Sequence, residues 1–182
     1  MEKFLKNRYK CILLLFIITL LTCSFVGLAA ASPGEEANQN HDILKWLSYD
    51  QALTKSKIEN IPTLIYFYSD NCGWCRKLED ETFKNQEVKE LMNRDFAIVK
   101  INSNSSNVVV SDKGKSTEKQ LSQEFYQVRA NPTIWFLNSN EERIAPLPGY
   151  APAEDFISVL HYIRGGYYRD YTFPEYIEEF IE

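Results

Sequence analysis

The spacing of apolar residues changes several times along this chain, and each change predicts an element. Ile43, Leu44, Leu47, Ala52 and Leu53 recur at roughly helical spacing, which predicts one helix or two short ones over 42–58, ended by Asn60-Ile61-Pro62. Thr63 to Tyr68 is a continuous apolar and aromatic run of strand length, the pattern of a strand buried on both faces. Ser69-Asp70-Asn71 reads as a turn. Trp74, Leu78 and Phe83, with charges between them, predict a helix over 73–83, and Asn85 is placed to cap a second one through Val88, Leu91 and Met92. Phe96 to Ile101 returns as a strand. The order strand, loop, helix, strand is a βαβ unit and implies a parallel pair.

Residues 102–117 are rich in Asn, Ser, Gly and Lys around a short apolar island at Val108–Val110, and read as a surface loop insertion. Leu121, Phe125 and Tyr126 mark a short helix, Thr133–Leu137 a strand, and Glu142–Leu147 its antiparallel partner across Asn138-Ser139-Asn140. Pro152 is suited to open a long helix carried by Phe156, Val159, Leu160 and Ile163 and stopped by Gly165-Gly166. The aromatic tail, 165–182, is expected to pack back on the domain as a short helix after Pro174. No internal repeat is visible.

Charge changes the picture at the N-terminus. Residues 1–10 carry four basic side chains and one acidic one, a net +3, and 11–31 carry none, so the −5 of the whole chain leaves −8 on residues 32–182. An acidic remainder excludes the clustered Lys and Arg that a nucleic-acid backbone requires. A basic start, an apolar stretch from Cys11 to Ala31 and the small residues Ala29-Ala30-Ala31 before Ser32 read as an export signal cleaved after Ala31. The same 21 residues are long enough to stay as an N-terminal membrane anchor. A lipid-anchored Cys23 is a third alternative, disfavoured by Leu20-Leu21-Thr22 before it. All three place the rest outside the cytoplasm: a polar linker over 32–41, then one domain over 42–182.

Of four cysteines, Cys11 and Cys23 lie in the apolar segment, so the exported domain keeps only Cys72 and Cys75. A bridge between residues three apart closes a tiny loop and adds little stability, so its value lies in being made and broken. At a helix start the first sulfur faces unpaired N–H groups and the positive end of the helix dipole, which favour the thiolate. Arg76, one turn beyond, is expected to lower the Cys72 thiol pKa further. Cys72 is therefore the expected nucleophile, and Cys75, a turn inside, attacks the mixed disulfide second. Glu79, four residues beyond Cys75, is a candidate acceptor for its proton, with a solvated position in the run Glu79-Asp80-Glu81 as the alternative. Asp70 reads as a turn residue. A zinc half-site would need two more ligands where only the separate His41 and His161 remain, and haem attachment would need His where Arg76 stands.

The strand Leu64–Tyr68, the Cys72-Gly73-Trp74-Cys75 turn, the segment Tyr126 to Thr133 with Ala130-Asn131-Pro132-Thr133, and the Gly149 turn fall in the order of the thioredoxin superfamily, which residues 42–164 resemble. More narrowly, Cys75-Arg76-Lys77-Leu78-Glu79, Thr82-Phe83, the Lys113–Leu121 insertion and the Tyr-rich tail resemble exported thioredoxin-like proteins of the SoxW type and the periplasmic C-terminal domain of DsbD. The resemblance implies an α/β, thioredoxin-like fold, a central mixed β-sheet flanked by helices. It implies that Pro132 is a cis-proline facing the cysteines and that Gly73, Trp74, Asn131 and Pro132 bind substrate. Two departures stand out: Tyr66 occupies the place of the family's buried acid, leaving Glu79 as the nearby acid, and Trp74 stands where thioredoxin has proline.

The expected function is an extracytoplasmic, periplasmic thiol–disulfide oxidoreductase. It would reduce protein disulfides through the Cys72/Cys75 pair, need no cofactor beyond that redox-active disulfide, and be recharged by a membrane electron donor of the DsbD or CcdA type. The alternatives are a disulfide oxidase or isomerase, and a redox-inert peptide-binding module. An oxidase of the DsbA type carries a helical domain before its cis-proline, and the interval from Cys75 to Pro132 has room only for a loop of modest size.

Overall fold

The computed structural model describes residues 43–111 and 114–181, and the expected signal or anchor over 1–31 and linker over 32–41 lie outside them. The described elements are α1 (Tyr49–Glu59), β1 (Thr63–Tyr68), α2 (Gly73–Lys77), α3 (Gln86–Asp95), β2 (Ala97–Asn102), β3 (Val108–Ser111), β4 (Gly114–Thr117), α4 (Glu118–Gln120), β5 (Thr133–Leu137), β6 (Arg143–Pro148), α5 (Ala153–Arg164) and α6 (Phe173–Phe180).

A four-stranded sheet runs in the order β2-β1-β5-β6. β1 pairs parallel with β2 and antiparallel with β5, and β6 closes the far edge antiparallel to β5, so the sheet is mixed. Successive side chains of a strand point to opposite faces, and β1 uses both. Leu64 and Tyr66 join a core with Leu78, Phe83, Phe156 and Leu160. Ile65 and Phe67 join another with Ala52, Leu53, Val99 and Tyr126.

Three expectations are corrected. Residues 43–48 are not helical: Leu47 donates its N–H to the Ile98 carbonyl at 2.9 Å and bridges to Val99, covering the outer edge of β2. The helix starts only at Tyr49 because Ser48 and Gln51 form a reciprocal capping box there. The helix expected over 73–83 is α-helical only to Lys77 and continues as a wider π-helical turn, Leu78–Thr82, closed by Phe83 N–H to the Leu78 carbonyl at 2.9 Å. The insertion is not an irregular loop, since β3 and β4 pair antiparallel within it. Alternation explains why: Val109 is buried with Tyr49, Ala52 and Leu53, while Val108 and Val110 face out.

At the other end, α6 begins with a Thr172–Glu175 capping box and Pro174 in its first turn, and buries Tyr176. The Tyr162 hydroxyl donates to the Tyr171 carbonyl at 2.7 Å, tying the tail to α5. Among the described residues no helix is long and apolar enough to cross a membrane.

Candidate active site

Everything with candidate chemistry lies at one end of the sheet. β1 ends at Tyr68, and the turn 69–71 brings the chain to Cys72, whose N–H returns to the Ser69 carbonyl at 3.1 Å. β5 runs antiparallel to β1 with Phe67 opposite Thr133, so Pro132 sits beside the end of β1 from which the cysteine turn departs. Gly149 follows β6 at the same level, takes a positive φ of 85° that a side chain disfavours, and donates its N–H to the Pro132 carbonyl at 2.8 Å. The Asn131–Pro132 peptide bond is cis.

Cys72 and Cys75 are joined as a disulfide. Their surroundings differ. Cys72 is the half-buried N-cap of α2, and its Sγ accepts the Cys75 backbone N–H at 3.0 Å, so the sulfur takes the place of a capping oxygen. Cys75 is 2% exposed within the core that holds Tyr66 and Leu78. An incoming sulfur therefore reaches Cys72 first.

Of the residues between them, Gly73 is exposed and Trp74 is 59% exposed, its ring 6.0 Å from that of Tyr150. The Lys77 ammonium lies over both rings, and the Tyr150 hydroxyl donates to Glu81 at 2.6 Å. Asn131 is half-buried and its Oδ1 accepts from the Ser103 hydroxyl at 3.1 Å, which in turn accepts from the buried Ser122 hydroxyl at 2.9 Å. Arg76 is exposed and donates to the Asp70 carbonyl at 3.3 Å, while the Asp70 carboxylate accepts from Asn102 at 2.9 Å. Both groups brace the turn that presents Cys72.

Glu79 turns inward from the π-helical stretch. Its Oε1 accepts the Tyr66 hydroxyl at 2.9 Å and the Lys100 ammonium at 3.0 Å, and the Tyr66 oxygen lies 3.5 Å from the Cys75 carbonyl oxygen. Tyr66 and Lys100 face each other in the β1–β2 register, and the ammonium also lies 4.3 Å from the Tyr68 ring centroid. Burial, and after it the Glu79 carboxylate, push the Tyr66 phenol well above its usual range, so it remains a donor throughout the ordinary pH range. Lys100, Ser103 and Ser122 join the site without being among the residues expected there. Lys100 had a signal, being the one charge inside the apolar strand Ala97–Asn102, whereas the two serines had none. Among the described residues no three His, Cys, Asp or Glu side chains come together to hold a metal.

Known proteins resemble this chain in sequence and fold. Residues 49–164 match the family model of the thioredoxin-like domain. The disulfide bond reductase DsbH of Chlamydia pneumoniae is 26% identical over 138 residues, covering 73% of this chain and 81% of that protein. A thioredoxin-fold protein from Helicobacter pylori superposes with a TM-score of 0.58 at 25% identity, over 66% of this chain and 80% of that one. A DsbH oxidoreductase structure superposes at 0.52 and 22% identity, over 72% and 94%, a likeness of fold. The chain belongs to the thioredoxin-like domain family, in which it is a thiol–disulfide oxidoreductase built on Cys72 and Cys75.

Proposed function

We propose that this protein reduces disulfides in proteins outside the cytoplasm, in a periplasm, with Cys72 as nucleophile and Cys75 as resolving thiol. The observation that carries the reading is the asymmetry of the pair: a half-exposed sulfur at a helix N-cap, and a buried one beside a carboxylate network. The Cys72 thiolate attacks one sulfur of a substrate disulfide, that S–S bond breaks, and the displaced sulfur leaves as a thiol. Cys75 then gives up its proton and attacks Cys72 Sγ. The mixed disulfide breaks, the second substrate thiol leaves, and two electrons have passed to the substrate. Glu79 takes the Cys75 proton. The resulting Cys72–Cys75 disulfide is reduced again by a membrane-borne dithiol donor of the DsbD or CcdA type, and no other cofactor enters.

Around this chemistry Gly73, Trp74, Asn131 and Pro132 form the substrate surface, with the backbone beside Pro132 pairing with an extended substrate segment. Arg76 holds the turn and adds positive charge near Cys72. The reducing direction draws on the likeness to a protein named a disulfide bond reductase, and on an interval before Pro132 occupied by a hairpin and short helices rather than by a helical domain. Equilibration of the purified protein with glutathione tests the direction. A potential near ~-270 mV supports a reductant, and one near ~-120 mV overturns that in favour of an oxidase. Export is tested by N-terminal sequencing of the mature protein: a start at Ser32 is expected, a full-length membrane-bound chain indicates a retained anchor, and a full-length chain in the cytoplasm refutes export.

A further inference from the structure

Where the resemblance implies an acid on β1 this chain has Tyr66, and a carboxylate from outside the strand, Glu79, accepts the Tyr66 hydroxyl. Glu79 descends from the helix side, and two donors on adjacent strands, Tyr66 and Lys100, hold the same oxygen, Oε1. Oε2 accepts no hydrogen bond from the described residues, so one oxygen is anchored and the other is left for a proton. The Tyr66 ring that carries the first donor is fully buried and wedged edge-on against Phe83, with ring centroids 5.1 Å apart. Its hydroxyl therefore has little freedom to turn elsewhere.

The outer side of Glu79 meets a cleft of about 330 Å³ lined by Leu44, Trp46, Phe83, Lys84 and Lys100. None of its lining residues belongs to the cysteine turn, to 131–132 or to 149–151. A substrate seated over Cys72, Trp74 and Pro132 would thus close the mouth of the site and leave this cleft open. The segment 43–47, displaced from the expected helix to the edge of β2, provides one wall, with the Trp46 ring 6.1 Å from that of Tyr66.

We propose that Tyr66 and Lys100 are positioning residues for the resolving step: they fix Glu79, four residues beyond Cys75, by Oε1, so that Oε2 receives the thiol proton and passes it to water through the Trp46 cleft. This rests on the role of Glu79 as proton acceptor. The atoms balance: the Cys75 S–H bond breaks, its proton moves to Oε2, and the electron pair left on sulfur forms the Cys72–Cys75 bond as the substrate thiolate departs. The other groups facing Glu79 are the Tyr68 phenol on β1, Asp80 and Lys84 near it in the chain, and Lys89 on α3. Lys84 is engaged by Asp80 at 2.7 Å, which leaves Lys100 as the cation bonded to Glu79 itself.

The test is single-turnover reduction of oxidised glutathione by the reduced mature protein, acid-quenched and followed by mass spectrometry, so that formation and decay of the Cys72–glutathione adduct are read separately at neutral pH. Tyr66→Phe keeps the ring and removes the donor, and Lys100→Gln removes the charge. Each should leave adduct formation within about two-fold of wild type and slow its decay about ten-fold at neutral pH, because Glu79 loses one of the two donors that hold it. In a Glu79→Gln background neither change should slow decay further. Wild-type decay in Tyr66→Phe and Lys100→Gln, with slow decay in Glu79→Gln, overturns the positioning role and leaves Glu79 as acceptor. Wild-type decay in Glu79→Gln overturns the acceptor itself. Additive slowing in the double variants shows that the strand residues act on something other than Glu79, and also overturns the proposal.

Discussion

Two buried tyrosines on opposite faces of the same sheet solve the same problem differently. Tyr66 and Tyr126 are both among the largest fully buried side chains, and each must find a partner for its hydroxyl. Tyr126 finds another phenol, Tyr49, at 2.8 Å, in the core away from the cysteines. Tyr66 finds a carboxylate that is itself paired with a lysine, in the core that contains Cys75. The first pairs two phenols, with the Arg143 guanidinium 5.0 Å from the Tyr126 ring centroid, and lies apart from the cysteine pair. The second places ionisable groups at the core that holds a thiol which must lose a proton, and leaves Glu79 about a third exposed. A buried hydroxyl is therefore a poor marker of function until its partner's charge and neighbours are known.

The contrast can be broken by substitution. Tyr66→Ala and Tyr126→Ala should be equally harmful, each emptying a ring-sized space at a cost of about 3–5 kcal/mol, measured by urea unfolding. Phenylalanine should separate them. Tyr126→Phe removes one hydrogen bond and should cost about 0.5–1.5 kcal/mol while leaving turnover and its pH profile unchanged. Tyr66→Phe should cost a similar amount but also change the kinetics of the resolving step. Equal kinetic behaviour of the two phenylalanine variants would dissolve the comparison.

A smaller effect should be common to both faces. Burial pushes both phenols up, so below about pH 10 they are protonated in the folded and unfolded states alike and their contribution is intact. Above about pH 10 the unfolded chain loses these protons first and binds fewer than the folded one, so stability falls by up to about 1.4 kcal/mol per pH unit for each buried phenol. Urea midpoints at roughly pH 8 and pH 11 should show the decline, and Tyr66→Phe or Tyr126→Phe should make it shallower. The smallest effect is expected at the exposed pair Lys84–Asp80: Lys84→Ala should change stability by less than about 0.5 kcal/mol in the same unfolding assay.

Much of the fold was legible because its strands are strongly patterned. The apolar run of β1, the turn at Asn138-Ser139-Asn140 and the opening of α5 near Pro152 all stand in the structure near their expected places. Ile43, Leu44 and Leu47 misled because helical spacing also suits an extended segment in which Leu44 and Leu47 are half-buried, Leu47 against the edge of β2, while Ile43 stays exposed. The hairpin was missed because each strand is four residues long and β4, Gly-Lys-Ser-Thr, has no strand-like composition. In the site, the cysteine turn, Pro132 and Glu79 are visible as sequence. The grip of Tyr66 and Lys100 on Glu79 is not, since it depends on which residue of β2 lies opposite Tyr66 and on the π-helical turn that rotates Glu79 inward. Neither is written in local spacing.

The central claim, that Cys72 attacks and Cys75 resolves, is met most directly by trapping. Cys75→Ser and Cys72→Ser proteins are expressed with their N-terminal segment, acid-quenched, and resolved on non-reducing gels with mass spectrometry of any reductant-sensitive adduct. Cys75→Ser retains the half-exposed nucleophile without the release step, so mixed disulfides on Cys72 should accumulate and identify the substrates, while Cys72→Ser should trap almost nothing because its remaining thiol is buried. Adducts on Cys75 in the Cys72→Ser protein, with none on Cys72 in its counterpart, would contradict the account.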